Sequence, residues 1–414
     1  MTPLSVAVIG SGMAGLTAAH RCRQAGMDVT IFEARAGHGM DAHAMTVDGG
    51  IVDAPLRVMN PDAWPSVLRL AREVGVETFA VDTPISCNWT DGQTWFRSGR
   101  VPILGWHFIG HWRYLTLKSL RFGRGALQLR QLTRHLQQTN DNRRLSEVLE
   151  SHPLDPLFWR GVVLPLLNTI CTCDEHHLMA WPAQQLLSLL DQSVHGQGLY
   201  RLRGGTSALV RGIAKDVPSH VGSRVQTVRP TPEGVEVLNE RGDGGWFDRV
   251  IVATQANQLQ FLDEQHFGQE KAILKDIPFE AGELVIHQDE RFMPQRKSDW
   301  APLNFQMDRA LNKPMFTVWV NPLEPTLSGK APVFQTWSPL YEPKEEQILE
   351  RIPLERAVVT ERTEAVHRQL TQWHQQPGRQ IFYCGSWAAE GVPLLESAVR
   401  SAETVVQRLS GELR

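Results

Sequence analysis

The residues best suited to chemistry near the amino end are three glycines and one carboxylate. Gly10, Gly12 and Gly15 form a G-x-G-x-x-G turn directly after an apolar run over residues 4–9, and Glu33 lies 18 positions beyond Gly15. Glycines at this spacing allow the backbone to approach a pyrophosphate at a helix N-terminus. A carboxylate at this distance can accept hydrogen bonds from ribose hydroxyls. These residues and their order therefore predict a dinucleotide site.

A strand, a helix and a second strand are needed to hold these residues in place. The apolar run over residues 4–9 predicts the first strand, and small or apolar residues recur at helical spacing from Met13 until Gly26. Residues 29–32 predict the second strand, which ends at Glu33. This βαβ order is typical of a parallel, doubly wound sheet that binds a dinucleotide at the carboxyl ends of its strands.

Composition restricts the kinds of partner. The chain has 414 residues, with 42 Lys and Arg against 45 Asp and Glu and a formal net charge of -3. A chain without a basic excess lacks the field that attracts nucleic acid, so we expect no nucleic-acid partner. The cysteines are odd in number and show no disulfide spacing, and no signal peptide or membrane-spanning run is recognised. Reduced thiols and a cytoplasmic location are therefore expected.

Two further stretches carry a resemblance to a known family. Residues 32–53, FEARAGHGMDAHAMTVDGGIVD, resemble the second signature of the FAD-dependent amine oxidase and phytoene desaturase superfamily. Residues 380–402 are similar to the last cofactor motif of the amine oxidases, in which a helix N-terminus points at the flavin. The resemblance makes FAD the expected cofactor. Two residues depart from the family pattern, because Met40 and Pro55 stand where glycines are usual.

The residues expected to contact FAD come from the glycine turn and from positions that match the motifs of this superfamily. By resemblance, Val225 offers its backbone to adenine, and Ala253 lies at a strand end along the cofactor. The full expected set is Gly10, Ser11, Gly12, Met13, Ala14, Gly15, Glu33, Ala34, Arg35, Met40, Asp41, Val225, Ala253, Gly385, Ser386, Leu394, Leu395, Glu396 and Ala398.

The substrate side is indicated by a narrower resemblance. Residues 282–305 and 316–321 resemble flavoproteins that occur beside, or fused to, cyclopropane fatty acid synthases, which implies a lipid acyl chain as substrate. Alternating residues in both stretches predict antiparallel strands that form a floor over the flavin. The candidate catalytic residues are His287, Lys297, Trp319 and Trp387, and ordinary packing is the alternative for the residues on these strands.

A basic, aromatic segment covers residues 97–140, with eight Lys or Arg and no Asp or Glu. One interpretation is a solvated helical face beside an apolar one. The other is a peripheral membrane contact, a surface that rests on anionic lipid headgroups or admits a lipid substrate.

A cluster of Cys, Asp, Glu and His residues spans positions 171–177. Neighbouring residues on one loop rarely converge on a metal without distant partners, so we expect a helix junction with polar cap residues and no metal. Three helices are also expected elsewhere: residues 60–76, capped by Asn60 or Asp62; a helix after Gly205, capped by Thr206 or Ser207; and the charged residues 345–373.

Together these observations predict an α/β fold, in which a discontinuous Rossmann-type FAD-binding domain carries an inserted α+β substrate domain, as in amine oxidases. The FAD domain is expected to comprise residues 1–60, 195–262 and 374–414, and the substrate domain residues 61–194 and 263–373. The expected activity is removal of a hydride, at flavin N5, from a hydrophobic, lipid-like or unsaturated small molecule. An FAD-dependent amine oxidase and a flavin-binding partner protein without turnover stay open as alternatives.

Overall fold

The computed structural model describes residues 3–99, 109–171, 173–195 and 198–412. The strands, in chain order, are β1 (Ser5–Ile9), β2 (Asp28–Phe32), β3 (Met45–Val47), β4 (Gly50–Val52), β5 (Thr78–Val81), β6 (Ile85–Trp89), β7 (Thr94–Arg97), β8 (Leu199–Leu202), β9 (Ser219–His220), β10 (Val225–Thr231), β11 (Gly234–Asn239), β12 (Gly244–Phe247), β13 (Arg249–Val252), β14 (Phe279–His287), β15 (Leu303–Met307), β16 (Pro314–Trp319), β17 (Phe334–Trp337), β18 (Ile348–Ala357) and β19 (Ile381–Tyr383). The helices are α1 (Met13–Gln24), α2 (Pro65–Glu73), α3 (Leu117–Thr139), α4 (Leu145–Ser151), α5 (Pro156–Phe158), α6 (Leu164–Cys171), α7 (Glu175–Ala180), α8 (Ala183–His195), α9 (Gly205–Ala214), α10 (Glu264–Leu274), α11 (Glu361–His374) and α12 (Leu395–Glu412).

The first sheet has five parallel strands in the order β19, β13, β1, β2, β9. Val6 and Val8 of β1 pack under helices α1, α2, α9 and α12, while Ala7 and Ile9 pack on the opposite face against α10, α11 and the small antiparallel sheet of β10, β11 and β12. Because both faces are covered, the central strand is apolar without alternation. The predicted α/β fold is confirmed.

The second sheet has seven strands in the order β18, β14, β17, β16, β15, β6, β7, and β15 pairs with β6 in parallel. Helices α3 to α8 pack against its β6, β7, β15 and β16 end and form a large apolar core with it. Residues 284–287 of β14 are all buried, because both faces of the sheet are covered in this region. The predicted strands are antiparallel, as expected: β14 pairs with β17 and β18, and β16 with β15 and β17.

The expected helix over residues 345–373 is wrong for its first half. This part forms β18, which pairs with β14 from Ile348 opposite His287 to Ala357 opposite Phe279. Pro353 is tolerated because β18 is an edge strand of its sheet. Charge suggested a solvated helix, but a partner strand about 70 positions away in the chain provides the hydrogen bonds and decides the structure.

The start of α2 also differs from the prediction, because neither Asn60 nor Asp62 caps this helix. Instead the Glu396 carboxylate accepts hydrogen bonds from the backbone N–H of Ser66 at 3.0 Å and of Val67 at 3.1 Å. A carboxylate far along the chain thus satisfies the first N–H groups of the helix.

Helix α9 shows the same arrangement. Neither Thr206 nor Ser207 provides the cap, since the helix begins at Gly205 after Gly204 in a left-handed conformation. The Asp53 carboxylate accepts a hydrogen bond from the Thr206 N–H at 2.8 Å. Here too a distant acid replaces the local cap.

Helix α3 occupies most of the basic, aromatic segment. Tyr114 and Phe122 are buried, whereas Trp112 is exposed. Residues 100–108, with Trp106 and Phe108 of the same segment, lie outside the described residues. No helix in the described ranges combines the length and the apolar character needed to cross a membrane.

Candidate active site

The glycine turn lies between β1 and α1, as predicted. Gly10 has a φ of +99°, and a Cβ there would come within 3.1 Å of the Ala253 carbonyl oxygen. A Cβ at Gly15 would lie only 1.9 Å from the Gly10 carbonyl oxygen. Protein packing therefore requires glycine at both positions, whatever the turn binds.

Gly12 is different, because no contact within the described protein requires a glycine at this position. Its φ of -67° is open to other residues, and a Cβ there would meet nothing within 4 Å. Gly39 lies across the turn, where a Cβ would approach the Gly12 nitrogen to 3.6 Å. The small residues leave a backbone cradle at the N-terminus of α1. Its N–H groups and the helix dipole suit an anionic pyrophosphate, so this end of the site fits FAD.

Glu33 ends β2 at the same edge of the sheet. Its Oε2 accepts hydrogen bonds from the Ser11 backbone N–H at 2.8 Å and from the Ser11 hydroxyl at 2.6 Å, and Oε1 accepts from the Arg35 N–H at 2.9 Å. A carboxylate can accept about four hydrogen bonds, so capacity for a ribose hydroxyl remains. The expected contacts Ala34 and Arg35 follow directly and are exposed. The Glu33 backbone oxygen accepts from the Ser223 N–H at 2.8 Å.

Two strand-end residues identified by resemblance lie beside this edge. The Ala253 N–H donates to the Ile9 carbonyl at 2.8 Å, and the Ala253 carbonyl faces Gly10. Val225 begins β10 two positions after Ser223. The structure thus brings the ends of β1, β2 and β13 together with the start of β10. Ligands of parallel α/β sheets bind at this carboxyl edge.

The loop that carries Met40 and Asp41 is tied to the glycine turn. The Met40 N–H donates to the Ser11 carbonyl at 3.2 Å, and the Met40 side chain packs against the core under α1. The Asp41 carboxylate accepts a hydrogen bond from the Ser207 hydroxyl. Both side chains are therefore engaged with protein groups.

The carboxyl-terminal turn is fastened to the same edge. Gly385 and Ser386 lie between β19 and α12, and the Ser401 hydroxyl donates to the Gly385 carbonyl at 2.8 Å. The Trp387 indole is buried and donates to the Thr254 carbonyl at 3.0 Å. This candidate catalytic residue thus joins the turn to the segment that follows β13.

The start of α12 lies between the two cores. Leu394 packs against the helices of the second sheet, whereas Leu395 and Ala398 pack against the first. The Glu396 carboxylate is occupied by the amides of α2 described above. Because these side chains contact protein groups, the backbone at the start of α12 is the part that can still bind a ligand.

A buried ion network lies next to the site, and sequence reasoning did not identify it. The Arg201 guanidinium contacts Asp53 at 3.1 Å and Glu324 at 2.7 Å, and it donates to the Leu323 carbonyl at 2.7 Å. Arg201 is 1% exposed. Its acidic partners lie 148 and 123 positions away, so no local signal could have found the network.

Two half-buried arginines near this network, Arg57 and Arg356, have no acidic partner among the described residues. The Arg57 Nε is buried and makes no hydrogen bond there. Burial, together with the nearby guanidinium of Arg356, lowers the pKa of Arg57 to about 10, and Asp53 opposes this shift. Asp53 is itself held by Arg201 and the Thr206 N–H, so its charge is already compensated.

Arg356 lies on β18, an edge strand of the second sheet, between helix α6 and the segment that follows β13. Its Nη1 donates to the Ile170 carbonyl in α6 at 3.1 Å, and burial lowers its pKa. The neighbouring Glu355 carbonyl accepts from the Gln255 side chain at 3.1 Å, in the segment after β13. Arg356 therefore borders the carboxyl edge of the first sheet. Sequence reasoning missed it because its segment was predicted to be helical.

His43 lies close enough to Arg35 and Arg57 for their charges to act on its ring. Burial, followed by the charges of Arg35 and Arg57, lowers the pKa of His43, and Glu350 opposes this. The His43 ring is therefore neutral at neutral pH, and the positive charge of this region comes from Arg35, Arg57 and Arg356. Guanidinium groups gathered in one region suit anionic ligands.

Three of the candidate catalytic residues come together away from the glycine turn. Lys297 Nζ lies 5.2 Å from the Trp300 ring centroid, and the Trp319 and Trp300 rings are 5.3 Å apart. His287 packs on Phe334 at 5.6 Å, and Phe334 contacts Trp300 at 5.7 Å. These residues form one aromatic cluster where strands β14 and β16 end and strand β17 begins.

His287 is fully buried in this cluster. Its Nε2 lies 3.0 Å from the Thr336 hydroxyl, and its Nδ1 accepts a hydrogen bond from the Asp289 N–H at 3.2 Å. Burial lowers the pKa of His287 to about 4 from an ordinary value of 6.5. The ring is therefore neutral in the folded protein at neutral pH.

We expect His287 to make the protein less stable as the pH falls. Between pH 6.5 and about 4 the unfolded chain binds a proton at this ring that the folded chain excludes. The free energy of unfolding should fall by about 3 kcal/mol across this window because of His287. Urea unfolding at several pH values should give a shallower pH dependence for His287→Asn than for the wild type. An unchanged slope, equal to that of the exposed control His266→Asn, would contradict the assignment.

The polar cluster at positions 171–177 forms a helix junction, as predicted. Asp174 is the N-cap of α7 and accepts from the His177 N–H at 2.9 Å. Glu280, the cross-strand neighbour of Arg356, lies 3.2 Å from His177 Nδ1 and accepts from the Asp174 N–H at 3.3 Å. Ligand atoms of Asp174, His177 and Glu280 lie within 4.8 Å of one another. Their mutual hydrogen bonds account for the cluster, and the Glu280 carboxylate contacts Asp174 and His177.

Comparison with known proteins identifies relatives over most of the chain. A model of the flavin-containing amine oxidoreductase family matches residues 13–352. A stretch of 259 residues is 24% identical to the tRNA 5-methylaminomethyl-2-thiouridine biosynthesis bifunctional protein MnmC of Magnetococcus marinus. This match covers 61% of the chain, but the chain spans only 30% of the length of that curated relative.

Solved structures share the fold along nearly the whole chain. Cyclohexylamine oxidase from Brevibacterium oxydans IH-35A superposes with a TM-score of 0.71 at 13% identity, covering 99% of each chain. The CLA-producing fatty acid isomerase from P. acnes superposes with a TM-score of 0.69 at 15% identity, covering 98% of each chain. The family model extends over most of the sequence, and the glycine turn fits a dinucleotide. The chain therefore belongs to the flavin-containing amine oxidoreductase family and is an FAD-dependent oxidoreductase.

Proposed function

We propose that this FAD-dependent oxidoreductase acts on a hydrophobic, lipid-like substrate that carries a carboxylate, such as an unsaturated fatty acid. The observation that carries the proposal is the pair of half-buried arginines, Arg57 and Arg356, which have no acidic partner within the described residues. A buried cation is costly unless an anion compensates it. A substrate carboxylate would supply that anion.

The same pair argues against an amine substrate. Primary and secondary amines are mostly protonated at neutral pH, and their positive charge would be repelled by both guanidinium groups. Like charges in a poorly solvated site interact more strongly than in water. The two structural relatives act on different substrates by name, a cyclohexylamine in one and a fatty acid in the other, and each shares only the fold with this chain. The arginine pair favours a fatty acid as the kind of substrate.

FAD, when bound, accepts a hydride from a C–H bond that lies against its ring. The residues of this chain bind and orient the reactants. The α1 cradle would hold the pyrophosphate, and Arg57 and Arg356 would hold the carboxylate by charge-assisted hydrogen bonds. Helix α6, whose Ile170 carbonyl accepts a hydrogen bond from Arg356, is rich in apolar residues that would contact the hydrocarbon chain. The association with cyclopropane fatty acid synthases stays a prediction.

Anaerobic mixing tests the proposal through bleaching of the flavin absorbance. We expect oleate or linoleate to bleach the flavin, its methyl ester to act at least about tenfold more weakly, and oleylamine to have no effect. Arg57→Gln and Arg356→Gln should each lower the ratio of acid to ester activity towards one. Arg241→Gln, at an exposed arginine in the turn between β11 and β12, is the matched control.

Three outcomes would contradict this proposal. Bleaching by oleylamine but not by the acid would establish an amine oxidase. A flavin that no acid, ester or amine reduces would favour a flavin-binding partner protein without turnover. Equal acid-to-ester ratios in the wild type and both arginine variants would remove the assigned role of the pair.

A further inference from the structure

Exposed apolar side chains are concentrated at one place on the surface. Among the described residues eight large hydrophobic side chains are exposed, and five of them lie between positions 112 and 127. They are Trp112 (76% exposed), Leu115 (71%), Leu117 (80%), Leu120 (70%) and Leu127 (63%), which together we call the α3 patch. Single exposed leucines are ordinary, but a contiguous set marks an interaction surface.

The α3 patch follows from an unusual pattern on helix α3. Leu117, Leu120, Arg124 and Leu127 recur at three- and four-residue spacing and therefore share one face. The opposite face, with Phe122, buries its side chains in the large core of the second sheet. The helix is thus apolar on two sides, and packing within the described protein accounts for only one of them.

The segment that carries the α3 patch contributes charges of one sign, and among the residues that the structure describes the acids Asp155 and Asp299 pair with only Arg121 and Arg113 of it. Residues 97–140 contain eight Lys or Arg and no Asp or Glu. Arg121 pairs with Asp155 at 2.8 Å, and Lys118 lies over an aromatic ring. Arg124 and Arg134 are exposed and make no ion pair within the described residues. A surface that is both apolar and cationic matches a membrane interface with anionic headgroups.

We infer that the α3 patch docks the protein on the surface of an anionic lipid bilayer. Its leucines and Trp112 would enter the boundary between headgroups and acyl chains, while Arg124 and Arg134 contact the phosphates. A second copy of the chain is a poorer occupant, because symmetric pairing would place the arginines of both copies against each other. The inference does not depend on which substrate is oxidised.

Vesicle sedimentation of the full holoprotein tests this docking. We expect the wild type to sediment with phosphatidylglycerol vesicles at low salt, to bind less as salt rises, and to stay in solution with phosphatidylcholine vesicles. The double change Leu117→Ser and Leu120→Ser should weaken binding at least about tenfold, because apolar area no longer enters the interface. Arg124→Gln should weaken binding less and reduce its dependence on salt.

The controls separate docking from folding and from catalysis. Leu340→Ser, at an exposed leucine outside the α3 patch, should sediment like the wild type. Flavin content and bleaching by substrate in detergent should be the same in all variants, so failure of the proposed function would appear there and not in sedimentation. The inference is wrong if the wild type ignores anionic vesicles or if the double variant binds them equally. It is also wrong if sedimentation velocity without vesicles shows a dimer that the double variant loses.

Discussion

Replacing Gly12 with alanine should leave the folded protein intact and yet lower its affinity for FAD about tenfold to a hundredfold. Gly12 has a φ of -67°, and a Cβ at this position would meet no protein atom within 4 Å. The protein therefore has no internal need for glycine here. The space is required only when a ligand comes close to the backbone.

The magnitude follows from the methyl group that the variant introduces. Forcing a methylene-sized group into filled space costs about 1–3 kcal/mol, and each tenfold change in affinity corresponds to about 1.4 kcal/mol. Without FAD the same variant should be as stable as the wild type, or more stable by about 0.4–1 kcal/mol, because alanine restricts the unfolded chain.

Gly15→Ala is the matched comparison within the same turn. A Cβ there would lie 1.9 Å from the Gly10 carbonyl oxygen, so the backbone must shift. We expect this variant to lose about 3 kcal/mol or more of stability even without FAD. FAD titration followed by fluorescence, and urea unfolding of the apoprotein, measure the two effects separately. If Gly12→Ala bound FAD like the wild type, the pyrophosphate would not lie against this turn.

Replacing Arg201 with methionine should destabilise the protein by about 3–5 kcal/mol at neutral pH. The guanidinium contacts Asp53 at 3.1 Å and Glu324 at 2.7 Å, and all three side chains are buried. Methionine keeps much of the volume but removes the charge. Two buried carboxylates would then lack their partner, and buried unpaired charge is among the most destabilising defects.

The pH dependence distinguishes this charge effect from a simple packing defect. In the variant, the unpaired carboxylates would bind protons more readily in the folded chain than in the unfolded one. The deficit relative to the wild type should therefore shrink as the pH falls towards 4. A deficit that is constant with pH would assign the loss to packing instead.

Arg203→Met is the control for the Arg201 variant. Arg203 lies two positions away and pairs with Glu77 at 3.1 Å, but both of these side chains are largely exposed. An exposed ion pair contributes about 0–1 kcal/mol, so this variant should unfold at nearly the same urea concentration as the wild type. Urea unfolding of both variants at pH 7 and at lower pH provides the measurement.

The cofactor end of the site was predictable because its contacts are local. The G-x-G-x-x-G turn, helix α1 and Glu33 lie within about 30 consecutive residues, and a βαβ unit can form in only a few ways. Strand β1 is apolar without a break because both faces of its sheet are covered. Such strands can be recognised in the sequence as continuous apolar runs.

The helix starts and the ion network were not predictable, because their partners are distant. Glu396 and Asp53 cap α2 and α9, and they replace the local residues that pattern reasoning selected. Residues 348–357 carry the charge of a solvated helix but pair with β14. In each case a hydrogen-bond partner more than 50 positions away outweighs a weak local preference.

The sequence by itself determined the family, the cofactor and the βαβ unit, because glycine spacing and backbone approach to a pyrophosphate are properties of adjacent residues. Only the tertiary structure decided which charges are paired: it pairs Arg201 with Asp53, and among the residues that it describes it gives neither Arg57 nor Arg356 an acidic partner. Substrate recognition depends on such contacts between side chains that are distant in the sequence. Charges act through space, and the distance between two side chains in the folded molecule cannot be read from their separation along the chain.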